Sequence, residues 1–356
     1  DWSSDVCSSD LGCDTTGGAF ELGATIRDVA KLAQVSPATV SRYFSGSTVV
    51  GDELSKKIES AAAQLDYTPH RTAVKRNQGV IMVLLPHLRL GYFSEVLREI
   101  IAQMTKYKYR VMILPTVQGD DSYKSFFKEL YVRGVIYLDE DIDRDMLRYI
   151  RAKNIKVIML GGYADESRCD YVHINDMAAA HDGMKYLLDL NHRDILILGD
   201  YPCHISSGKQ RLEGCRQALR EYSLAYDEDR MVEFCELSYE GGYRSMSKTL
   251  QAGKHFTAVF AFSDETALGA ISALAENGLR VPQDVSVLGF DGLSLSGQVV
   301  PKLTTICQPI YKMVEWTLNT LCNMEDKKQE GSMEYTLPYK LVERETCIRR
   351  EEKTCI

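Results

Sequence analysis

Residues 24–44 read ATIRDVAKLAQVSPATVSRYF, which are two short helical patterns joined by a turn. In the first pattern Thr25 is followed three residues later by Asp28, as in a capped helix start, and apolar residues then recur at helical spacing. In the second pattern Ser36 is a hydroxyl N-cap, and Pro37 takes the first helical position, where its missing N–H costs nothing. Only two or three residues connect the patterns, so the sequence predicts a helix-turn-helix.

A third helical pattern follows a stretch rich in Gly, Ser and Thr, and it supplies an apolar stripe that can close a three-helix core. The stripe consists of Leu54, Ile58, Ala61, Ala62 and Leu65. Helical spacing alone would also fit a bundle that only packs. Charge favours nucleic acid, because residues 24–77 carry a net charge of +3 whereas the whole chain carries −8. A basic module on an acidic body concentrates affinity for nucleic acid at one end.

The second helix of such a unit enters the major groove of DNA and places its side chains at base edges or nearby phosphates. Arg42 can make a bidentate contact with guanine, whereas Pro37 and Ala38 offer only apolar contact, for example to a thymine methyl. The predicted DNA-binding residues of this unit are Thr25, Ser36, Pro37, Ala38, Thr39, Ser41 and Arg42.

From Gly79 onward, near-continuous apolar runs alternate with amphipathic segments. The runs span residues 79–86, 109–115, 134–138, 156–161, 194–199, 258–262 and 285–290. Runs of this kind are typical of buried parallel strands that helices cover on both faces. The sequence therefore predicts a doubly wound α/β architecture with two lobes, in which ligands bind outside the carboxyl ends of the strands.

The motif VSPATVSR at 35–42, its spacing to LDYTP at 65–69 and the long α/β segment resemble the LacI/GalR family of bacterial transcription repressors. The resemblance covers residue 24 to about residue 350. It implies a homodimer or a dimer of dimers, double-stranded operator DNA with two-fold symmetry, and a small-molecule effector, usually a sugar or a nucleobase. The residues after Pro338 contain no leucine heptads, so we expect a dimer.

The expected fold is a small all-α helix-turn-helix domain followed by a bilobed, doubly wound α/β domain of the periplasmic-binding-protein type. The expected segments are a non-native or disordered leader at 1–23, the DNA-binding domain at 24–67, a hinge at 68–78 and an effector-binding and dimerisation domain at 79–350. Within the last, we expect one lobe at 79–190 and 308–337 and the other at 191–307 and 338–350.

The hinge departs from the pattern that the resemblance implies. Family members fold this stretch into a helix on operator binding and insert a leucine into the minor groove. The matching contacts here are Ala73, Val74 and Arg76, and Arg76 stands where the leucine aligns. An arginine can enter a narrow minor groove but cannot unstack bases in the same way. A solvated basic linker is the alternative interpretation.

Polar residues at strand ends are the effector-binding residues that the resemblance implies. They are Asn175, Arg211, Ser263, Asp291 and Gln308. Opposed charges and hydrogen-bonding groups suit a polyol. Asp and Ser after strands are also common N-caps, and capping is the role we expect for Asp264. Ser263 stands where asparagine is common, and Asn175-Asp176 reverses the frequent order, so the identity of the effector stays open.

The sequence lacks the motifs that are typical of other function classes. SSGKQ at 206–210 is not a phosphate loop, and the seven histidines include no metal-binding pair at i, i+4. The ten cysteines form no C-x-x-C pair, and no apolar run reaches the ~18 residues of a membrane span. We expect a cytoplasmic, nucleoid-associated protein that is no enzyme, binds no metal or cofactor and contacts no membrane.

The sequence thus indicates an effector-responsive, sequence-specific DNA-binding regulator, a repressor of a carbohydrate-use operon that a sugar releases. Two alternatives stay open. A sugar-binding receptor of the periplasmic type shares the bilobed body but has no helix-turn-helix. A corepressor-dependent regulator has the same domains, but its ligand strengthens DNA binding instead of weakening it.

Overall fold

The structure is a computed structural model. It describes residues 25–45, 50–65, 79–86, 91–116, 123–138, 144–162, 169–201, 206–323 and 332–351. The chain divides into two compact units, Asp1–Lys75 and Arg76–Ile356.

The first unit contains three helices, α1 (Ile26–Leu32), α2 (Pro37–Ser45) and α3 (Asp52–Gln64). The turn between α1 and α2 has Gln34 in the left-handed region at φ 57°. The N–H of Val35 then donates to the carbonyl of Ala30 at 3.0 Å. A left-handed residue with such a closing bond ends a helix and lets the chain turn sharply. The predicted helix-turn-helix corner is present.

A small cluster of apolar side chains holds the three helices together. Its buried members are Val29, Ala30, Ala33, Val40, Ile58, Ala61 and Ala62. One predicted member lies outside it, because the side chain of Leu54 is 40% exposed. At the start of α3 it is Val50 that packs against the cluster.

The second unit has two sheets, each with six strands in the described part of the chain. The first sheet contains β1 (Val80–Leu85), β2 (Arg110–Pro115), β3 (Val132–Tyr137), β4 (Lys156–Leu160), β5 (Asp170–Ile174) and β11 (Glu334–Leu337), in the order β11-β5-β4-β3-β1-β2. All of its strand pairs are parallel. This parallel sheet agrees with the predicted doubly wound architecture.

The second sheet contains β6 (Ile195–Gly199), β7 (Val232–Phe234), β8 (Ala258–Ala261), β9 (Ser286–Asp291), β10 (Thr304–Cys307) and β12 (Lys340–Val342), in the order β12-β10-β9-β8-β6-β7. Its pairs are parallel, except that β12 runs antiparallel to β10. The carboxyl ends of β6 to β10 therefore meet at one edge of this sheet.

Helices cover both sheets. The first lobe has α4 (Gly91–Met104), α5 (Tyr123–Glu129), α6 (Arg144–Ala152) and α12 (Ile310–Cys322). The second lobe has α7 (Asp176–Asp189), α8 (Ser207–Glu221), α9 (Glu228–Met231), α10 (Tyr239–Gln251) and α11 (Asp264–Glu276). No helix within these described ranges is both long and apolar enough to cross a membrane.

The position of α7 corrects the expected lobe boundary. The predicted first lobe, 79–190, included this helix, but its buried residues Met184 and Leu187 share a cluster with Phe260 of the second sheet. Its close contact with α8 depends on Gly214, where a Cβ would lie 2.1 Å from the carbonyl oxygen of Met177. Periodicity shows that α7 has an apolar face but does not show which sheet that face covers.

The chain passes between the lobes three times. It crosses after β5, where Asn175 precedes α7, then after β10 at Gln308 and Pro309, and finally between β11 and β12. Two of the candidate effector residues, Asn175 and Gln308, therefore lie on crossings.

Candidate DNA-reading surface and effector site

The start of α2 is capped as the sequence predicts. The N–H of Thr39 donates to Oγ of Ser36 at 3.1 Å, and the two hydroxyls lie 2.8 Å apart. Val40 points into the core, while the side chains around it are exposed, namely those of Pro37, Ala38, Ser41 and Arg42. The face of α2 that carries the predicted DNA contacts is therefore a surface of the first unit.

Thr25 has a structural role at the start of α1. Its N–H and its hydroxyl both donate to the carboxylate of Asp28, at 2.8 and 2.6 Å. Both hydrogen bonds lower the pKa of Asp28, and the bond from the hydroxyl has the larger effect. An ionised carboxylate at this end complements the helix dipole. The predicted hinge contacts Ala73, Val74 and Arg76 lie outside the described residues.

Arg211 is the centre of the candidate effector site. It lies on α8 with its side chain buried. Its Nε donates to Oδ1 of Asp176 at 2.8 Å, and its Nη1 donates to the carbonyl oxygen of Phe262 at 2.6 Å. The guanidinium carbon lies 3.7 Å from the ring centroid of Phe290. A buried ion pair with further hydrogen bonds and a stacked ring fixes the orientation of the guanidinium.

Asp291 ends β9 beside this arginine. Its carboxylate accepts a hydrogen bond from Nε2 of Gln308 at 2.9 Å, and its φ of 102° is unusual for a residue other than glycine. Burial raises the pKa of Asp291 to about 7, against the opposing influence of Arg211 and Gln308. Near neutral pH its carboxyl group can therefore either donate or accept a hydrogen bond.

Ser263 and Asn175 both cap helices. Oγ of Ser263 accepts from the N–H of Thr266 at 3.1 Å, and Oδ1 of Asn175 accepts from the N–H of Ala178 at 2.9 Å. The expectation that Asp264 caps α11 is wrong by one residue. Asp264 is fully buried and accepts from the N–H of Leu293 at 2.7 Å. The N-cap is the last residue before the helix, and in α11 that residue is Ser263.

Two carboxylates in this region were not among the effector-binding residues predicted from the sequence. Asp176, not its neighbour Asn175, reaches Arg211. Asp200 follows β6 and accepts from the N–H of Tyr201 at 2.8 Å, and burial raises its pKa while the charge of Arg211 opposes that rise. Its position directly after a buried strand is the signal that could have identified Asp200.

Comparison with known proteins agrees with this architecture. Residues 25–70 match the family described as bacterial regulatory proteins, lacI family, and residues 184–347 match the periplasmic binding protein-like domain. The HTH-type transcriptional regulator RegA of Clostridium acetobutylicum is 31% identical over 335 residues, which are 92% of this chain and 100% of that protein. The chain belongs to the LacI family. It is a transcriptional regulator and not an enzyme.

Other members of the LacI family are similar over comparable lengths. The HTH-type transcriptional repressor CytR of Escherichia coli K12 is 31% identical over 318 residues, covering 88% of this chain and 93% of that one. The lac repressor dimer bound to operator and the anti-inducer ONPF aligns with a TM-score of 0.69 and 26% identity, over 91% of this chain and 99% of that one. The regulator CelR in complex with cellobiose, at TM-score 0.65 and 23% identity over 91% and 99%, shares the fold.

In this LacI-family member the candidate site also touches the first lobe. The N–H of Gly91, the first residue of α4, donates to Oε2 of Glu265 at 2.8 Å, and Glu265 opposes ionisation of Asp291. The N–H of Ser294 donates to Oε1 of Glu95 at 3.0 Å. Within the described ranges, no group of three or more His, Cys, Asp or Glu side chains could hold a metal ion. The groups present can bind hydroxyls and a polar ring, and they are linked to both lobes.

Proposed function

We propose that this chain is an effector-gated repressor. It binds a palindromic operator as a homodimer in the cytoplasm, and a sugar bound around Arg211, Asp291 and Gln308 lowers its affinity for DNA. The exposed face of α2 carries the proposal, because it presents Pro37 and Ala38 at the capped start of the helix together with Arg42 in its last turn. The relative CytR is named a repressor, and the solved relatives described above hold operator DNA or cellobiose.

The coupling follows from where the candidate effector contacts lie. Arg211 and Asp291 belong to the second lobe, whereas Gln308 lies on a crossing and Glu265 binds the start of α4 in the first lobe. A ligand that binds one arrangement of the lobes better than the other shifts their equilibrium by that difference in affinity. In a dimer, such a shift changes the spacing of the two DNA-reading units and so the fit to two half-sites.

The first experiment measures binding of the full chain to DNA upstream of its own and neighbouring genes, over a salt series. We expect a palindrome-centred footprint with nanomolar affinity that weakens steeply as salt rises. Arg42→Ala should weaken specific binding by about 5-fold to 150-fold, because a bidentate contact with guanine discriminates by about 1–3 kcal/mol. Its thermal stability should stay within the wild-type range, since Arg42 is exposed.

Lys31→Ala is the matched control, because it removes one positive charge from an exposed position on α1. It should weaken binding to specific and random DNA by the same factor. Equal, sequence-indifferent binding by wild type and Arg42→Ala would contradict the proposal. Titration with sugars and nucleosides then gives the sign of coupling, since an inducer releases the operator and a corepressor tightens it.

A further inference from the structure

A pair of aromatic rings lies beyond the candidate effector residues on the second sheet. Tyr201 follows β6, and its side chain is unusually accessible, with 61% of the residue exposed. Its ring stacks on that of Phe234, the last residue of β7, with centroids 5.9 Å apart and planes at 27°. Both residues lie at the carboxyl ends of their strands, so they share an edge with Asp291 and Gln308.

Asp200 connects this aromatic pair with Arg211. Its carboxylate accepts from the N–H of Tyr201, and its Cβ lies 3.2 Å from where a Cβ on Gly208 would stand. Gly208 and Arg211 are three residues apart on α8 and so lie on the same face of that helix. Hydrogen-bonding groups therefore continue from Arg211 through Asp200 to the exposed ring of Tyr201.

The groups from Asp291 and Arg211 to Tyr201 and Phe234 extend over a greater distance than a single sugar ring. In the sheet order, β8 separates β9 from β6, and β7 lies beyond β6. With neighbouring strands about 4.8 Å apart, the ends of β9 and β6 are about 10 Å apart and those of β9 and β7 about 14 Å. A hexose held by Arg211 and Asp291 would leave the rings of Tyr201 and Phe234 without contact.

We infer that Tyr201, Phe234 and Asp200 form a second subsite, so that the effector is a neutral disaccharide or longer saccharide; this inference rests on the proposed function. The first ring binds Arg211, Asp291 and Gln308. The second ring places its C–H face on Tyr201, and one of its hydroxyls donates to Asp200. Among the described residues of this site, the carboxyl groups of Asp176, Asp200 and Asp291 lie around Arg211, which disfavours an anionic second ring.

The test compares monosaccharides with disaccharides built from them, using the full chain and titration calorimetry. The probes are glucose with cellobiose and maltose, galactose with lactose, and glucose with sucrose. We expect wild type to bind at least one disaccharide about tenfold more tightly than its component sugar, the size of effect that stacking on one ring can provide. Tyr201→Ala should reduce that advantage to twofold or less and leave monosaccharide affinity unchanged, and Tyr201→Phe should keep it.

Tyr335→Ala is the matched control, because Tyr335 is a partly exposed tyrosine that stacks on Trp316 in the first lobe. It should leave both affinities unchanged. Equal affinity for monosaccharide and disaccharide, equal weakening of both by Tyr201→Ala, or binding of a nucleoside in place of any disaccharide would overturn the subsite. Operator binding is measured on the same preparations. Operator binding together with monosaccharide binding, but without a preference for any disaccharide, overturns this inference alone. Operator binding without any saccharide binding also overturns the proposed sugar response, and absence of operator binding overturns the proposed function as a whole.

Discussion

The helix-turn-helix unit and the second lobe present their candidate residues in opposite ways. On α2, the side chains of Pro37, Ala38 and Arg42 are exposed and contribute little to the small core beneath them. At the edge of the second sheet, Arg211 and Asp291 are each only 5% exposed and are held by hydrogen bonds to several elements. Substitutions of these exposed α2 side chains should therefore change DNA binding alone, whereas substitutions of Arg211 or Asp291 should also change stability.

The largest expected effect tests whether the second lobe depends on its buried ion pair. Arg211→Met leaves the carboxylate of Asp176 buried without its cation, which should lower the free energy of unfolding by about 3–5 kcal/mol. The double variant Arg211→Met with Asp176→Leu should recover most of that loss, because both charges are removed together. Chemical denaturation of the three proteins measures the difference.

Arg220→Met is the control for this experiment. Arg220 lies on the same helix with a side chain that is 67% exposed, and it pairs with Glu213. Surface pairs contribute about 0–1 kcal/mol, so the loss should be no larger than that. Similar losses at Arg211 and Arg220 would contradict the contrast between the two kinds of site.

The next effect is a pH dependence caused by Asp291. Its folded pKa of about 7 lies above the usual value of 3.8, so between these pH values the folded state holds a proton that the unfolded state releases. Stability from this group therefore falls as pH rises from about 4 to about 7 and is constant above that. One pKa unit corresponds to about 1.4 kcal/mol, and about two units lie between pH 5 and the folded pKa, so wild type should lose about 2.5–3 kcal/mol more than Asp291→Asn between pH 5 and pH 8.

Denaturation curves at the two pH values measure this difference. Asp284→Asn serves as the control, because hydrogen bonds from Arg280 lower the pKa of that exposed carboxylate to about 2, outside the range tested. The Asp284 variant should keep the wild-type dependence between pH 5 and pH 8. Parallel behaviour of wild type and Asp291→Asn would show that Asp291 does not titrate near neutrality.

The smallest effect compares the same N-cap in the two regions. Ser263→Ala removes the acceptor of the N–H of Thr266 and should cost about 1–2 kcal/mol, because Thr266 is fully buried and its N–H would be left without that acceptor. Ser36→Ala removes the acceptor of the N–H of Thr39 on an exposed helix and should cost about 0.5 kcal/mol. Thermal unfolding gives both values, and a larger cost at Ser36 would reverse the comparison.

Local patterns were sufficient to predict much of the fold. Ser36-Pro37 and a short turn predict α1 and α2, and apolar runs predict the buried strands, because both signals depend on near neighbours in the chain. The sheet that α7 covers could not be predicted, since that choice depends on residues distant in sequence such as Phe260. The exposure of Leu54 likewise depends on how the small core closes.

The wrong capping role of Asp264 and the omission of Asp176 have one cause. Asn175-Asp176 and Ser263-Asp264 each begin a helix after a strand, and in each pair the first residue caps while the carboxylate of the second is buried. The sequence shows that two adjacent polar residues stand at a helix start. Which one caps and which one turns inward depends on the partners Arg211 and Leu293, which come from other parts of the chain.

The three passages of the chain between the lobes affect how the gene tolerates truncation. Neither lobe corresponds to one uninterrupted run of codons, because β11 and β12 follow each other in the chain but form edge strands of two different sheets. A premature stop codon before Glu334 would remove an edge strand from both lobes at once. Such a stop codon should therefore destabilise both lobes, although it spares the codons of β1 to β10.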